Sequence, residues 1–498
     1  MAYPLSVTPG PIKFGTDGWR GVIAADFTVE RLYRAATAAA QVLGEVYGSG
    51  EANTSVPHQT QPKIMVGYDR RFLSESFAET VALAVQAVGL EPVLAETYAP
   101  TPALSWAAYD QKALGALVIT ASHNPGSYSG LKVKGAFGGS VPSEVTAKIE
   151  ERLQENKVPP VPVAQEWQRF NPWTRYCEVL RSKVKIEAIR EAVKTGQIRI
   201  FVDVMYGAAA GGLAQVLGSD LETGAGTNLA ELHDHRDPLF GGGAPEPLPR
   251  HLADLFRAIR SDSRDGLKVG FVFDGDADRI AAVDGSGEFL SSQVLIPILI
   301  EHLAVRQGLR GEFIKTVSGS DLMPKVAELY GCSVAETAVG YKYIADRMLT
   351  RSVLLGGEES GGIGYGNHIP ERDGLLSALY LLEAMVESGC DLGQLYGQLR
   401  EKTGFSSAYD RIDLPLASMD VRDRVQSTLQ TTPLTEIAGQ AVVDCITTDG
   451  FKFRLADQRW LMVRFSGTEP LLRLYCEAAT PKQVQETLSW AKAWASHL

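Results

Sequence analysis

Three aspartates, Asp274, Asp276 and Asp278, stand at alternate positions directly after an apolar run of the chain. Carboxylates placed this closely repel one another unless a cation neutralises them. Hard oxygen ligands of this kind suit magnesium or calcium better than a soft metal. An EF-hand calcium loop needs glycine at its sixth position and glutamate at its twelfth. Arg279 and Gly285 stand there instead, so the segment is not an EF-hand. It predicts a different type of site, one for magnesium.

Ser122 is the hydroxyl that this chemistry needs as a partner. Magnesium takes six ligands and commonly accepts one from a phosphate, so a site with three carboxylates favours a phosphoryl group nearby. Ser122 follows the apolar run 116–119, and Pro125 with Gly126 forces a turn beyond it. We therefore expect Ser122 at the carboxyl end of a strand, where open α/β sheets bind their ligands. His123 is adjacent, but neighbouring side chains usually diverge, so His123 alone is not expected to activate Ser122.

A second group of residues near the end of the chain is suited to binding an anion. Arg464 supplies a planar guanidinium, Ser466 and Thr468 supply hydroxyls, and Gly467 leaves backbone N–H groups accessible. Arg473 either adds a second guanidinium or is an ordinary exposed strand residue. This segment is expected to hold a phosphate.

Charge and composition narrow the range of partners. The chain has 48 basic and 59 acidic residues and a formal net charge of −11. Nucleic acids and anionic membranes attract a basic protein surface, so neither is expected as a partner. A small phosphorylated molecule could still bind to this acidic protein, provided that a local cluster of arginine, lysine and N–H groups binds its phosphate. The most apolar run, 294–300, contains Pro297 and is far shorter than the ~20 residues of a membrane span.

Cysteine usage and the start of the chain bear on the cellular compartment. The five cysteines are scattered without paired or zinc-like spacing, which argues against a disulfide framework and a thiolate metal site. The first residues contain no basic stretch followed by an apolar one. These features predict a protein of the reducing cytoplasm.

Strands and helices are predicted to alternate along most of the chain. Strands are expected at 63–66, 116–119, 198–204, 269–273 and 313–317, and helices at 32–43, 213–217, 252–259 and 375–386. This alternation predicts mixed or parallel sheets with helices on both faces. A chain of 498 residues exceeds one hydrophobic core, so three or four domains are expected.

The end of the chain has a different pattern. Leu472, Leu474 and Cys476 alternate with polar residues, which predicts a strand with one buried face. A helix is expected beyond it, with Thr480 as the N-cap and Gln483 completing a capping box. This segment is therefore expected to form a small α+β domain.

Several of these segments occur together in a known family. The residues TASHNP at 120–125 and DGDADR at 274–279, about 150 residues apart, resemble the α-D-phosphohexomutase superfamily, particularly its phosphoglucomutase/phosphomannomutase members. Three more segments match in order, at 15–21, 357–361 and 464–470. The resemblance covers nearly the whole chain.

The resemblance implies a heart-shaped α/β enzyme of four domains. Three related α/β domains with mixed sheets are expected at 1–175, 176–290 and 291–405, and a smaller α+β domain at 406–498. In order, they would supply the phosphoserine loop, the metal-binding loop, the sugar-specificity loop and the phosphate-binding loop. The active site would lie in the cleft where the four domains meet.

The resemblance also implies roles for the residues of the first two loops. Ser122 would carry the phosphoryl group, and the three aspartates would bind Mg²⁺ together with an oxygen of phospho-Ser122. Lys132 would act as general base or acid, assisted by His123 and Arg20. Arg279 would help neutralise the phosphoserine, whose charge is roughly −1.5 to −2. Lys132 would then have to lose or share its proton, which close positive neighbours would favour.

The remaining loops would bind the substrate. Glu358 and Ser360 would form hydrogen bonds with the hydroxyls at C3 and C4 of the sugar, and Lys342 would contact a phosphate. The second group, comprising Arg464, Ser466, Gly467, Thr468 and Arg473, would hold the phosphate that does not react.

The implied reaction interconverts hexose 1-phosphate and hexose 6-phosphate, with glucose as the first substrate and mannose as a second. A hexose 1,6-bisphosphate intermediate would turn end for end, and glucose 1,6-bisphosphate would serve as activator beside Mg²⁺. A hexose 1,6-bisphosphate synthase, a phosphoglucosamine mutase and a non-catalytic sugar-phosphate sensor are the alternatives. Several relatives have histidine where this chain has Gly362, which argues against the glucosamine enzyme. The oligomeric state, monomer or dimer, stays open.

Overall fold

The computed structural model describes residues 10–15, 17–48, 61–218, 220–224, 226–466 and 470–496. The strands are β1 (Trp19–Val22), β2 (Lys63–Tyr68), β3 (Glu91–Ala95), β4 (Gly115–Ile119), β5 (Tyr128–Gly135), β6 (Gln168–Phe170), β7 (Ile198–Asp203), β8 (Leu229–Leu232), β9 (Leu267–Phe273), β10 (Ile280–Val283), β11 (Phe289–Leu290), β12 (Glu312–Thr316), β13 (Val334–Thr337), β14 (Val353–Gly357), β15 (Ile363–Tyr365), β16 (Ala408–Pro415), β17 (Glu436–Ile437), β18 (Gln440–Ile446), β19 (Phe451–Leu455), β20 (Trp460–Phe465) and β21 (Leu471–Ala478).

The α-helices are α1 (Val29–Tyr47), α2 (Ser74–Ala87), α3 (Thr101–Asp110), α4 (Ser143–Gln154), α5 (Thr174–Ser182), α6 (Ile186–Lys194), α7 (Gly212–Leu217), α8 (Ala253–Ser261), α9 (Ser292–Glu301), α10 (Leu322–Leu329), α11 (Tyr341–Met348), α12 (Gly374–Ser388), α13 (Leu392–Thr403), α14 (Met419–Thr431) and α15 (Pro481–Ser496). Among the described residues, no helix combines the length and the apolarity needed to cross a membrane.

The strands form three mixed sheets followed by an antiparallel one. The strand orders are β1-β5-β4-β2-β3-β6, β11-β10-β9-β7-β8, β13-β12-β14-β15 and β16-β21-β20-β19-β18-β17. The α/β class predicted from the sequence, with three mixed sheets and a smaller C-terminal domain, is confirmed. The domain limits at 175, 290 and 405 stay predictions.

The three mixed sheets share one local arrangement. In each, a strand with a parallel neighbour on one side, β4, β9 or β14, leads through a short connection into an antiparallel neighbour, β5, β10 or β15. Each connection contains a residue in the left-handed region, Ser122 (φ 50°), Ala277 (φ 55°) or Gly361 (φ 94°). The three segments with predicted chemistry therefore occupy equivalent places, which we call the serine loop (120–127), the aspartate loop (274–279) and the sugar loop (358–362).

The packing divides the chain into two parts. The largest buried apolar cluster draws on all three mixed sheets, as Leu117, Phe271 and Leu355 illustrate. The C-terminal sheet has its own cluster, in which Leu474 of β21 packs with Leu488 of α15. The C-terminal sheet is thus a separately packed unit.

The predicted capping box at the last helix is confirmed. The Thr480 hydroxyl accepts a hydrogen bond from the Gln483 backbone N–H at 3.3 Å, and the Gln483 side chain accepts one from the Thr480 backbone N–H at 3.1 Å. The prediction of one buried face on β21 was wrong, because Tyr475 and Glu477 on its polar face are also buried. That face packs against Val317 of the third mixed sheet, a contact that alternation alone does not reveal.

The buried lysine Lys452 makes stability depend on pH. Its Nζ lies 4.1 Å from the ring centre of Trp460, and burial, followed by the nearby Lys315, lowers the pKa of Lys452 to about 7. A free lysine has a pKa of about 10.4, so between these pH values the folded protein binds fewer protons than the unfolded chain. The free energy of unfolding should therefore rise with pH, by about 1.4 kcal/mol per unit at most.

We predict that Lys452→Met removes this dependence. Thermal unfolding at pH 7 and pH 9 should show the wild type gaining about 2 kcal/mol over the variant on going to the higher pH. The control is Lys482→Met, whose side chain is 87% exposed. An equal pH dependence in wild type and Lys452→Met would contradict the assignment.

Candidate active site

One buried arginine, Arg71, fixes the backbone of the serine loop. Arg71 donates hydrogen bonds from its guanidinium to four backbone carbonyls, of residues 122, 124, 125 and 128, at 2.6 to 3.1 Å. Its charge is balanced by Asp69 at 3.1 Å. The Ser122 backbone N–H donates to the Thr120 hydroxyl at 2.9 Å, which helps to maintain the left-handed conformation of Ser122. The loop therefore has a defined backbone that presents the Ser122 hydroxyl.

The serine loop and the aspartate loop contact each other directly. The Ser122 hydroxyl donates to Asp274 Oδ2 at 2.8 Å. A Cβ atom on Gly275 would overlap the carbonyl oxygen of Ser122, so the close approach requires glycine there. Thr101, at the start of α3, donates to Asp276 from its backbone N–H at 2.9 Å and from its hydroxyl at 2.5 Å. The first two sheets thus meet at the predicted nucleophile.

The three aspartates have the arrangement of a cation site. Asp274, Asp276 and Asp278 are fully buried, and one oxygen of each lies within 4.8 Å of the others. Within the described residues, Asp276 Oδ1 and Asp278 Oδ1 have no hydrogen-bond partner. Burial, followed by the neighbouring carboxylates, raises the pKa of Asp274 well above its ordinary value. Buried carboxylate oxygens without donors fit a hard divalent cation such as magnesium.

Lys132 lies among carboxylates. Its Nζ is 2.7 Å from Asp17 and 2.8 Å from both Asp276 and Asp278. Burial alone would lower the pKa of Lys132, but these carboxylates outweigh it and raise the pKa above its ordinary value. Arg372 is a positive neighbour that lowers the pKa of Lys132, but the carboxylates outweigh it as well. Lys132 therefore holds its proton more firmly than a free lysine does.

His123 and Arg20 complete the surroundings of Ser122. The His123 ring nitrogen Nδ1 lies 3.2 Å from the Ser122 hydroxyl, so the two adjacent side chains meet, contrary to expectation. Burial and then Arg279 lower the pKa of His123 well below its ordinary value. Arg20 donates to the Asn124 side chain at 2.8 Å. His123 therefore contacts the Ser122 hydroxyl, and Arg20 and Arg279 lie close enough to act on its imidazole.

Two residues to which the sequence analysis gave no role, Arg372 and Asp17, link the loops. Arg372 is buried and contacts Asp278 at 2.5 Å, Asp17 at 2.7 Å and Glu358 at 3.7 Å. A Cβ atom on Gly362 would overlap the side chain of Arg372. The arginine thus occupies the space that a side chain at position 362 would need. The signal available in the sequence was a charged run directly before α12 and an unassigned aspartate within 15–21.

The sugar loop lies beside the aspartate loop. The Ile280 backbone N–H donates to the Gly361 carbonyl at 3.0 Å, and Arg279 and Gly362 form an isolated antiparallel bridge. Burial is the main cause that raises the pKa of Glu358 to about 7. Ser360 lines a small cavity behind the loop. Glu358 is linked to the aspartate cluster through Arg372, whereas Ser360 lines a cavity that Arg411 of the C-terminal sheet also lines.

Lys342 does not lie beside the aspartates. It donates to the Ser143 hydroxyl at the start of α4 at 3.2 Å. With Asp17 and Gly15 it lines a cavity of about 10 Å³ at the junction of the first and third sheets. Its predicted contact with a phosphate stays a prediction.

The predicted phosphate-holding group lies on the C-terminal sheet. Arg464 and Arg473 are directly opposite each other on β20 and β21, and like charges in this arrangement repel unless an anion lies between them. Arg464 donates to Asp449 at 2.9 Å, and Ser466 is 9% exposed. Gly467 and Thr468 lie outside the described residues. The arginine pair fits an anion site, apart from the cluster around Ser122.

Comparison with family profiles matches the chain in four consecutive segments. Residues 11–159, 174–287 and 291–403 match the α/β/α domains I, II and III of phosphoglucomutase/phosphomannomutase. Residues 421–489 match the C-terminal domain of the same family. Together these matches cover most of the chain.

Individual relatives match over nearly their full length. A protein from Thermococcus kodakarensis named phosphoglucomutase/phosphomannomutase is 27% identical over 483 residues, 95% of this chain and 96% of its own. A protein from Frankia alni named phosphoglucosamine mutase is 31% identical over 483 residues, with the same two coverages. A crystal structure from Thermus thermophilus, described as a candidate phosphomannomutase, is 32% identical, with a TM-score of 0.83 over 98% of this chain and 100% of that one.

The contact between the serine and aspartate loops yields a prediction. We expect Gly275→Ala to separate the loops, because its added methyl group would meet the Ser122 carbonyl and such overpacking costs about 1–3 kcal/mol. Calorimetric titration with Mg²⁺ and thermal unfolding should both show weakening. The control is Gly397→Ala in α13, where no atom lies within reach of the new methyl group. Equal behaviour of the two variants would argue against close packing at Gly275.

Proposed function

This chain belongs to the phosphoglucomutase/phosphomannomutase family, and we propose that it interconverts hexose 1-phosphates and hexose 6-phosphates through a phosphoserine at Ser122. The single observation that supports the proposal most is the 2.8 Å contact between the Ser122 hydroxyl and Asp274. It supports the proposal because the Ser122 hydroxyl, the proposed nucleophile, contacts one of the three buried aspartates.

The aspartate loop is proposed as the magnesium site. Asp274, Asp276 and Asp278 would hold the ion, since two of their oxygens have no donor among the described residues. When bound, the ion supplies positive charge that makes a phosphoryl group approachable by a neutral hydroxyl. Arg20 and Arg279 add positive charge near Ser122, where both act on the neighbouring His123.

The proposed transfer exchanges one phosphorus–oxygen bond for another. A free hydroxyl of the bound hexose phosphate attacks the phosphorus on Ser122, the bond to the serine oxygen breaks, and the sugar becomes a 1,6-bisphosphate. Lys132, which the carboxylates hold in its protonated form, would give a proton to the serine oxygen as it leaves and regain one from the attacking hydroxyl, with His123 and Arg20 assisting. The bisphosphate then turns, its other phosphoryl group returns to Ser122, and the isomeric monophosphate leaves. Added glucose 1,6-bisphosphate would activate the protein by phosphorylating Ser122.

Binding of the sugar phosphate is assigned to the two remaining groups. Glu358 and Ser360 are proposed to bind the sugar hydroxyls at C3 and C4, which occupy similar places in both orientations of the intermediate. Arg464, Ser466 and Arg473 are proposed to hold the phosphate that is not reacting, since the opposed arginines favour an anion between them. With contacts at C3 and C4, the protein would recognise the configuration at C2 only weakly. Glucose and mannose differ at C2, so the phosphates of both sugars are proposed as substrates.

Glucosamine phosphate is the second candidate substrate. The Frankia alni relative supports it by name, whereas Gly362, with Arg372 in the space beside it, distinguishes this chain from relatives with histidine there. The test measures the turnover rates of glucose 6-phosphate, mannose 6-phosphate and glucosamine 6-phosphate with the same protein preparation. We expect the first two to be used at least tenfold faster.

We predict that Ser122→Ala lowers the mutase rate by at least 10³-fold, because no other hydroxyl replaces the nucleophile. The assay follows glucose 6-phosphate formed from glucose 1-phosphate, primed with glucose 1,6-bisphosphate and Mg²⁺. A phosphopeptide containing Ser122 should be present in the wild type and absent in the variant. The matched control, Ser263→Ala, alters an exposed serine and should keep full activity. Full activity in Ser122→Ala would exclude Ser122 as the nucleophile.

We predict that chelation with EDTA abolishes the activity and that added Mg²⁺ restores it. Asp276→Asn should raise the Mg²⁺ concentration for half-maximal activity by at least tenfold, because it removes a charged ligand. Asp265→Asn, at an exposed site, serves as the control. Activity that persists after complete chelation would count against the aspartate loop as the metal site.

A further inference from the structure

Glu359 belongs to the sugar loop, and its carboxylate contacts the C-terminal sheet. The carboxylate is 6% exposed and lies 4.0 Å from the Arg411 guanidinium on β16. It accepts a hydrogen bond from the Ser318 hydroxyl at 2.8 Å and one from the Tyr475 hydroxyl at 3.4 Å. Glu358, by contrast, faces Arg372. One short turn therefore has neighbouring glutamates directed to two different parts of the molecule.

The C-terminal sheet meets the third mixed sheet mainly through polar contacts. Arg454 and Asp321 form an ion pair at 2.7 Å, Lys452 donates to the Val317 carbonyl at 2.9 Å, and Tyr409 donates to the Ser318 carbonyl at 3.0 Å. The small shared apolar cluster centres on Val317 and Trp460. Interfaces of this kind within a chain permit the two parts to move relative to each other.

The ion pair between Glu359 and Arg411 lies beside a cavity of about 70 Å³. Residues of the ranges 246–248, 280–292 and 359–361 line most of this cavity, and Arg411 lines it from the C-terminal sheet. A separation of 4.0 Å is at the outer limit of an ion pair. The pair would therefore shorten if the C-terminal sheet moved toward the sugar loop.

The same face of the C-terminal sheet bears the proposed phosphate-holding group. Arg473 and Tyr475 are two residues apart on β21 and so point to one face. Arg464 is the cross-strand neighbour of Arg473, and Arg411 is the cross-strand neighbour of Tyr475. A phosphate held by the two arginines and the contact to Glu359 would thus be fixed by adjacent rows of one rigid sheet.

We propose that Glu359 is a positioning residue that joins the sugar loop to the C-terminal sheet through Tyr475 and Arg411, and that this contact retains the bisphosphate while it turns. The inference rests on the proposed function. Its consequence is that the contact decides whether the chain works as a mutase or releases bisphosphate as a synthase would. Loss of the contact weakens the hold on the intermediate without changing Ser122 or the aspartates.

The test measures where the phosphoryl group of Ser122 goes. Wild type and Glu359→Gln, each labelled with ³²P on Ser122, are mixed with excess glucose 1-phosphate, and the label is followed into free glucose 1,6-bisphosphate and glucose 6-phosphate. We expect the bisphosphate fraction to rise about tenfold in the variant, while the initial loss of label from Ser122 changes less than threefold. Glu328→Gln, at an exposed position of α10, is the matched control.

Tyr475→Phe provides an independent test, because it removes only the hydroxyl that donates to Glu359. It should raise the bisphosphate fraction in the same direction, and the double variant should show less than the product of the two effects. An unchanged bisphosphate fraction in both single variants, with label transfer intact, overturns this inference alone. A wild type that transfers no label from Ser122 overturns the proposed function instead.

Discussion

The hydrogen bond from the Ser122 hydroxyl to Asp274 is the contact on which the site depends. It joins a loop of the first sheet to a loop of the second, and the absence of a side chain at Gly275 lets the two backbones approach. Three carboxylates at this point are costly to bury, because each loses its hydration. Lys132 and Arg372 offset part of that cost. The remaining unpaired oxygens are what make the cluster suited to a divalent cation.

The serine, aspartate and sugar loops occupy equivalent positions in the three mixed sheets. One type of strand connection therefore presents three different sets of polar side chains. Each loop follows a strand with a parallel neighbour and turns back at once into an antiparallel one. Such a turn leaves polar groups at the carboxyl edge of the sheet, where they are accessible to a ligand. With the three sheets packed on one core, the three edges converge. A hydroxyl, a set of carboxylates and the glutamate Glu358 therefore lie together although they are far apart in the chain.

Much of this arrangement could be predicted from the sequence, because apolar runs mark the strands and the residues with chemistry follow them directly. The places of Ser122, Asp274 and Glu358 are of this kind. What could not be predicted are the partners that come from remote segments. Arg71 and Arg372 are ordinary charged residues until folding buries them, and the carboxylates around Lys132 come from two different segments. The buried polar face of β21 was also missed, since a docking surface between two packed units leaves no periodic signal.

The four carbonyls that accept hydrogen bonds from Arg71 have a consequence for the proposed phosphorylation of Ser122. Addition of a phosphoryl group would add a charge of roughly −1.5 to −2 at this side chain, on the phosphate oxygens. A loop fixed mainly through that side chain would have to rearrange each time. Here the Arg71 guanidinium donates its hydrogen bonds to main-chain carbonyls and not to the Ser122 side chain. The backbone can therefore stay the same in both chemical forms, so that little of the barrier to transfer comes from reordering the protein.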